Sequence, residues 1–325
     1  MKKIWLGLLM GVGVAMIAGC TKSSTTNNDP TSGNSSEAMV WSLQPGINNT
    51  SNDYITSLAS SGSVFVAVGY SNLGESGQIF SSPDGITWTS RVADTIANLW
   101  NVIWGKNQFV AVGDSGKILT SPDGATWTVR SSGTTASLYT AICGANKYIA
   151  YGLDNMVATS SDGISWTVST SNLAIFGGYN NGIAWGNNKF VRAGYDSIYT
   201  SPDGLKWTSS YQANIYTTNA FAPVIWADSQ FVIAGSAIVT SPDGITWTIR
   251  GIWKSSYIGS AYSIAWGNGK FVIGQDYNNY TSVNGSTWNM EEGFPGTREI
   301  GYMLAYGGGK FVVVNGIGMV MTSPW

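Results

Sequence analysis

The sequence predicts an all-β protein, a seven-bladed β-propeller of four-stranded antiparallel blades, and three observations lead to this prediction. A turn signature, Ser-Pro-Asp-Gly-x-x-Trp or a close variant, occurs six times, with its Trp residues 39 to 41 residues apart. A second signature around Lys-Phe-Val-x-x-Gly occurs seven times, with its Phe or Tyr at positions 65, 109, 148, 190, 231, 271 and 311. The composition, with 41 Gly, 15 Trp and only 10% charged residues, suits short buried strands and tight turns. A period near 40 residues is typical of propeller blades.

Each repeat contains the pattern of four short strands. The first strand ends at a Trp-Gly step, and the second is apolar at successive positions, as expected of a strand buried on both faces. The third runs into the turn signature, called here the Asp turn, and the fourth alternates as an outer strand does. Because the Asp turn recurs in six blades, its residues are expected to be structural: Asp84, Trp88, Asp123, Trp127, Asp162, Trp166, Asp203, Trp207, Asp243, Trp247 and Trp288.

The two ends of the repeat region predict how the ring closes. The last copy stops at Thr322-Ser323-Pro324-Trp325, before its fourth strand. Met39 to Gln44, around Trp41, match a fourth strand that has no first three strands ahead of it. Pairing the two segments would complete the seventh blade and cover two exposed strand edges.

The N-terminal segment has the features of an export signal. Lys2 and Lys3 precede an apolar run that ends in Ile17-Ala18-Gly19-Cys20. This ending resembles the lipobox of bacterial lipoproteins, which implies cleavage before Cys20 and a lipid on its thiol; an ordinary signal peptide or anchor with a chance Cys is the alternative. We therefore expect a signal peptide at 1–19, a lipidated Cys and flexible tether at 20–37, and a propeller at 38–325.

The lipobox resemblance also implies a location and a state for the second cysteine. The protein is expected in the cell envelope, held to a membrane by its lipid, and Thr21 after the Cys implies the outer membrane in a Gram-negative host. With Cys20 acylated, no intramolecular disulfide would be available to Cys143. Cys143 is then expected to be a small buried residue.

The Asp turn resembles the Asp-box, or bacterial neuraminidase repeat, of sialidase-like propellers, although it is one residue shorter between Asp and Gly. The overall plan of seven such repeats is closer to photosystem II assembly-factor-like propellers. The resemblance implies architecture rather than activity. Sialidases need three Arg on the substrate carboxylate, and this triad is not visible among the five Arg, of which Arg91, Arg130 and Arg250 follow Asp-turn Trp residues on predicted outer strands.

The composition excludes several classes of function. The chain has no His, so a Ser-His-Asp relay and a His-ligated metal site cannot be built. No metal and no cofactor are predicted. The net charge of −2 argues against a nucleic acid partner, and a monomer is expected.

Aromatic side chains are concentrated on the loop face, the face that carries the connections between blades and the turns between second and third strands. Aromatics among Asn, Asp, Ser and Thr suit a glycan or an envelope protein as partner. The alternative is that these rings fold inward and fix the loops. The predicted ligand-binding residues are Trp100, Tyr139, Tyr179, Tyr195, Tyr216, Trp253, Tyr257 and Tyr277.

Two other functions remain open on the sequence alone. A sialidase-like glycoside hydrolase would need carboxylates at the channel mouth, and the weak candidates are Asp276, Glu291, Glu292 and Glu299. A solvated, charge-dense loop is the simpler interpretation of the last three. An assembly or stability factor for an envelope complex is the second alternative. A non-catalytic binding protein is the favoured interpretation.

Overall fold

The computed structural model describes residues 39–47, 53–71, 76–91, 97–173, 182–194, 197–212, 222–235, 237–252, 261–275, 278–292 and 302–324. The predicted signal peptide and tether therefore lie outside the described residues. Within these ranges the chain forms 28 strands in seven antiparallel four-stranded sheets and one 3-10 turn, Asp114–Gly116. The predicted all-β, seven-bladed propeller is confirmed.

The strands follow one another in chain order, four to a blade, after the single strand β1 (Ser42–Gln44). Blade 1 consists of β2 (Asp53–Ser60), β3 (Phe65–Ser71), β4 (Ser76–Ser82) and β5 (Thr89–Arg91). Blade 2 consists of β6 (Leu99–Gly105), β7 (Gln108–Gly113), β8 (Ile118–Ser121) and β9 (Thr128–Arg130). Blade 3 consists of β10 (Leu138–Gly144), β11 (Lys147–Gly152), β12 (Met156–Ser160) and β13 (Thr167–Thr170). Blades 4 to 7 consist of β14 (Ile183–Gly186), β15 (Lys189–Ala193), β16 (Ser197–Ser201), β17 (Thr208–Gln212); β18 (Val224–Ala227), β19 (Gln230–Ala234), β20 (Ala237–Ser241), β21 (Thr248–Ile252); β22 (Ser263–Gly267), β23 (Lys270–Gly274), β24 (Asn278–Ser282), β25 (Asn289–Glu292); and β26 (Tyr302–Gly307), β27 (Lys310–Asn315), β28 (Val320–Pro324) with β1.

The blades form a closed ring. The first strand of each blade contacts the first strand of the next, and β26 of blade 7 contacts β2 of blade 1. Strand β1 pairs antiparallel with β28, with Ser42 opposite Thr322. The Nε2 of Gln44 donates to the Oγ1 of Thr322 at 3.0 Å, as the Nε of Arg130 donates to the Oγ1 of Thr120 at 2.9 Å in blade 2. Strand β1 thus takes the place of a fourth strand, as the sequence predicted.

The core lies between neighbouring blades. The seven signature aromatics of the second strands are all buried. The Gly of the Trp-Gly step is required where the next blade packs against it: a Cβ on Gly186 would lie 2.1 Å from the Cγ of Trp226. Trp226 in turn packs on Phe231, with ring centroids 4.5 Å apart. Burial of rings of this size contributes roughly 2–3 kcal/mol each.

The Asp turns are held by a repeated set of hydrogen bonds. In blade 2 the Oγ of Ser121 donates to the Oδ1 of Asp123 at 3.0 Å, and that oxygen accepts the amides of Ala125 and Thr126, both at 2.8 Å. Such backbone amides lower the pKa of the corresponding Asp162 and Asp243 to about 2, because they stabilise the carboxylate. These contacts agree with a structural role for the motif.

The Asp turns of blades 3 to 6 are also tied to the preceding blade by hydrogen bonds. The Nε2 of Gln108 in blade 2 donates to the carbonyl of Asp162 in blade 3 at 2.7 Å. The Nζ of Lys189 reaches the carbonyl of Asp243 at 2.7 Å in the same way. The face that carries these turns is therefore held by regular contacts between blades, whereas the connections of differing length lie on the loop face.

Candidate functional site

The described strands contain five β-bulges, and three of them lie in the first strands of blades 1, 2 and 3, near the loop face. The pairing register shifts between Ile55 and Ser57, between Leu99 and Asn101, and between Leu138 and Thr140. The pairing register passes over one extra residue at each of these shifts: Thr56, Trp100 and Tyr139. A bulge redirects its extra side chain and is common beside functional sites.

Four aromatic rings form a continuous set across blades 1 to 3, called here the aromatic row, and two of them belong to the bulge residues Trp100 and Tyr139. Tyr54 stacks on Tyr70 with centroids 5.4 Å apart, and Tyr70 meets the edge of Trp100 at 5.2 Å. Trp100 lies 6.2 Å from Tyr139. Tyr70 and Trp100 are only 8% and 7% exposed, whereas Tyr54 and Tyr139 are half-buried. Trp100 supports the row from within, and Tyr54 and Tyr139 keep part of their rings at the surface.

Asp114 fixes the row from the turn between β7 and β8. Its Oδ1 accepts the indole N–H of Trp100 at 2.7 Å, and its Oδ2 accepts the Nδ2 of Asn98 at 3.0 Å. The turn that carries it has Ser115 in the left-handed region, at φ 55°. Burial, together with the nearby charge of Asp114, raises the pKa of Tyr139. The Tyr139 hydroxyl is therefore a neutral hydrogen-bonding group at physiological pH.

This arrangement can supply ring stacking and hydrogen bonding. Rings held in one orientation offer a stacking surface for a sugar ring or an aromatic side chain, with hydroxyls to fix its orientation. Within the described ranges, no group of three or more His, Cys, Asp or Glu could hold a metal ion. No helix in the described part of the chain is long and apolar enough to cross a membrane.

Few of the residues predicted for ligand binding or catalysis fall in the described part of the chain. Trp100 and Tyr139 are brought together in the aromatic row. Glu291 lies on β25, the outermost strand of blade 6, where its Oε1 accepts the Oγ1 hydroxyl of Thr281 at 3.0 Å; Glu292 follows on the same strand. The remaining predicted residues lie outside the described ranges: Cys20, Tyr179, Tyr195, Asp276, Tyr216, Trp253, Tyr257, Tyr277 and Glu299.

The sequence prediction did not include two residues of the site. Tyr54 completes the row, and Asn98 helps to fix Asp114. Tyr54 and Asn98 both come at or just before the start of a first strand, on the loop face. This position, rather than residue type alone, is the signal that would have identified them.

The arginines are placed away from a common centre. Arg91, Arg130 and Arg250 lie on outermost strands, and each donates its Nε to a hydroxyl of the neighbouring third strand, at 2.7 to 2.9 Å. Arg192, on the second strand of blade 4, is only 4% exposed. Its burial lowers its pKa to about 10. The described arginines therefore form no triad around a shared pocket.

Cys143 is buried, 2% exposed, in the slot that Trp residues fill in other blades. Contrary to the expectation that no disulfide would be available to it, Cys143 is not a free cysteine in the structure. Cys20, the only other cysteine of the chain, lies outside the described residues.

The fold is that of a β-propeller, and its loop face carries the aromatic row. No family model matches the chain, and no curated protein matches it. Among solved structures, virginiamycin B lyase from Staphylococcus aureus is similar, with a TM-score of 0.70 at 10% identity, over 88% of this chain and 100% of that chain. YCF48 bound to D1 peptide gives a TM-score of 0.63 at 13% identity, over 89% and 97%. The WD40 propeller domain of Doa1 gives a TM-score of 0.63 at 15% identity, over 87% of this chain and 96% of that chain. At these identities the similarity establishes the fold alone.

Proposed function

We propose that this protein is a membrane-anchored, non-catalytic propeller that binds a protein partner or a glycan through its loop face. The observation that carries the proposal is the aromatic row, with Trp100 fixed by Asp114 and Tyr139 presented at the surface. Pre-organised rings lose little conformational freedom when a ligand binds, which favours recognition.

The geometry favours binding over glycoside hydrolysis. Both carboxylate oxygens of Asp114 already accept side-chain N–H groups, which suits a structural acceptor better than a proton donor. Glu291 lies at the outer edge of its blade and not on the innermost strand. A mechanism at the channel mouth would therefore depend on Asp276 and Glu299, which lie outside the described residues.

A protein partner would make this chain an assembly or stability factor of the cell envelope. The similarity to YCF48 bound to D1 peptide supports this only as an example of a propeller of similar fold that holds a peptide. A glycan would use the same rings by stacking. The binding experiment below includes both kinds of partner.

We propose further that Cys20 carries the lipid anchor, that residues 20–37 form the tether, and that Thr21 directs the protein to the outer membrane in a Gram-negative host. Mass spectrometry of the mature N-terminus should show a diacylglyceryl group on Cys20, and Cys20→Ser should release the protein from membranes. If Cys20 is instead found in a disulfide with Cys143, the anchor proposal fails. Cys143→Ser separates the two, because it removes the disulfide and leaves the lipidation site.

The binding proposal is tested with Tyr139→Ala against a matched control, Ile164→Ala, which truncates a 53% exposed side chain on an Asp turn of the opposite face. Both variants are compared with wild type on a glycan array and by cross-linking in envelope fractions. Tyr139→Ala should lose at least tenfold in affinity for the ligand found, as a stacked aromatic contact does, and Ile164→Ala should not. Equal binding by all three proteins would place the site elsewhere.

A further inference from the structure

A polar groove lies at the outer side of the loop face, where blade 2 leads into blade 3. It is formed by the turn that begins β8, the end of β9 and the connection that follows, residues 131–135. Its volume is about 560 Å³, within the range of small-molecule sites. The Asp114–Gly116 turn that forms one wall also contacts β10, the strand that carries Tyr139.

The walls of the groove are fixed. Gly116 has φ +69°, and a Cβ there would lie 2.0 Å from the carbonyl oxygen of Thr134, so the turn and the connection are in close contact. The buried Oγ of Ser132 donates to that same carbonyl at 3.0 Å. The Nε of Arg130 is held by the Oγ1 of Thr120 at 2.9 Å, which leaves the other N–H groups of its guanidinium for other acceptors. The groove therefore does not depend on a ligand for its shape.

The groove is cationic although the chain as a whole is slightly acidic. Lys117 and Arg130 line it, and none of the residues that line it is Asp or Glu. The nearest carboxylate along the chain, Asp114, is engaged by Trp100 and Asn98. Three exposed hydroxyl side chains also line the groove: Ser115, Ser131 and Thr135.

This set of donors matches one class of anion best. An ammonium, a guanidinium and three hydroxyls offer more hydrogen bonds than the two oxygens of a carboxylate accept. A phosphate monoester has three acceptor oxygens and a charge of about −1.5 to −2 at neutral pH, close to the charge of the two cations. Val129 is the only large apolar residue in the lining, so there is little apolar surface for peptide side chains.

We infer that the groove binds the phosphate monoester group of a small ligand, either a sugar phosphate or the headgroup of a lipid phosphate. The inference goes beyond the proposed function, because it does not require the aromatic row or the membrane anchor. The phosphate would lie against Lys117 and Arg130, with the remainder of the ligand toward the exposed hydroxyls.

The test is titration of the full mature chain, followed by calorimetry and by NMR. The probes are glucose 6-phosphate, dihexanoyl phosphatidic acid below its micelle concentration, glucuronate and glucose. At least one phosphate should bind, and the one that does identifies the source; glucose should not bind, and glucuronate should bind at least tenfold more weakly. Arg130→Gln and Lys117→Gln should each reduce phosphate affinity about tenfold, as loss of a charge-assisted hydrogen bond does.

The matched control is Arg91→Gln, which loses the equivalent Nε bond, to the Oγ of Ser81 at 2.7 Å, but lies outside the groove. It should leave phosphate binding unchanged, and so should Tyr139→Ala, which tests the aromatic row separately. The inference is overturned if neither phosphate binds, if glucuronate binds as well as the phosphates, or if Arg91→Gln weakens binding as much as Arg130→Gln. None of these outcomes would affect the test of the aromatic row.

Discussion

Gly186→Ala is the substitution for which the structure gives the clearest expectation. The new Cβ would lie 2.1 Å from both the Cγ and the Cδ2 of Trp226 in the next blade. Carbon atoms in contact are about 3.5–4.0 Å apart, so the ring or the whole blade must move by about 1.5 Å. Trp226 cannot move freely, because it packs on the fully buried Phe231. We expect the free energy of unfolding to fall by about 3 kcal/mol, at the upper end of overpacking effects. The Tm should then fall by about 6 °C, since the change is roughly 2 °C per kcal/mol for domains of this size.

The matched control is Gly251→Ala in β21. No heavy atom would lie within 4 Å of its Cβ, and its φ is outside the left-handed region. Alanine there should be neutral or stabilise by about 0.4–1 kcal/mol, because it restricts the unfolded chain. Urea denaturation and calorimetry measure both variants. If Gly186→Ala lies within 1 kcal/mol of wild type, or if Gly251→Ala is equally damaging, the account of blade packing is wrong.

Three further predictions concern closure, acid stability and the site. Trp41→Ala should lower the free energy of unfolding, measured in urea, by about 2 kcal/mol or more, because the ring packs between blades. Leu43→Ala truncates a 60% exposed side chain and should lower it little. Equal losses in the two variants would contradict closure by β1. The pKa of Asp243 is about 2 in the folded state and 3.8 ordinarily, so its contribution to the stability of the fold is complete above pH 3.8 and is lost as the pH falls toward 2. Asp243→Asn should reduce this acid sensitivity. An unchanged acid transition would contradict the stabilising role of the Asp243 carboxylate in its turn. Asp114→Ala should lower the free energy of unfolding by about 1–3 kcal/mol, because it removes the carboxylate that accepts the buried indole N–H of Trp100. This loss should be smaller in a Trp100→Phe background. Full additivity of the two substitutions would refute the contact.

The sequence predicted the architecture because each blade repeats the same local solution. The Trp-Gly step, the buried second strand and the Asp turn have fixed spacing, so counting them counts blades. Closure was predictable for the same reason, since Trp41 and Gln44 keep the spacing of the other fourth strands.

The site was predictable only in part. The sequence placed Trp100 and Tyr139 on the loop face, but it could not show the bulges that redirect them. A bulge adds one residue to a strand, and only the pairing register reveals which residue is left over. The partners of the row come from different blades, so their contacts depend on the ring and not on local pattern.

Glu291 occupies the same position in its blade as Arg91 and Arg130 do in theirs, although its charge is opposite. It lies three residues after Trp288, as Arg91 lies after Trp88 and Arg130 after Trp127. Its contact with Thr281 repeats the contact of those arginines with the third strand, with the charge reversed. The sequence alone predicts that it begins a charged loop, although it occupies a regular position of the fourth strand.

The pairing of β1 with β28 also sets an order of events for folding. Gln44 and Thr322 are 278 positions apart, so strand β1 finds its partner only when nearly the whole chain has been synthesised. Blades 1 to 3, which hold the aromatic row and the groove, need only local pairings to form their sheets. A chain arrested before its last strand would thus have the strands of its aromatic row paired while its ring remained open.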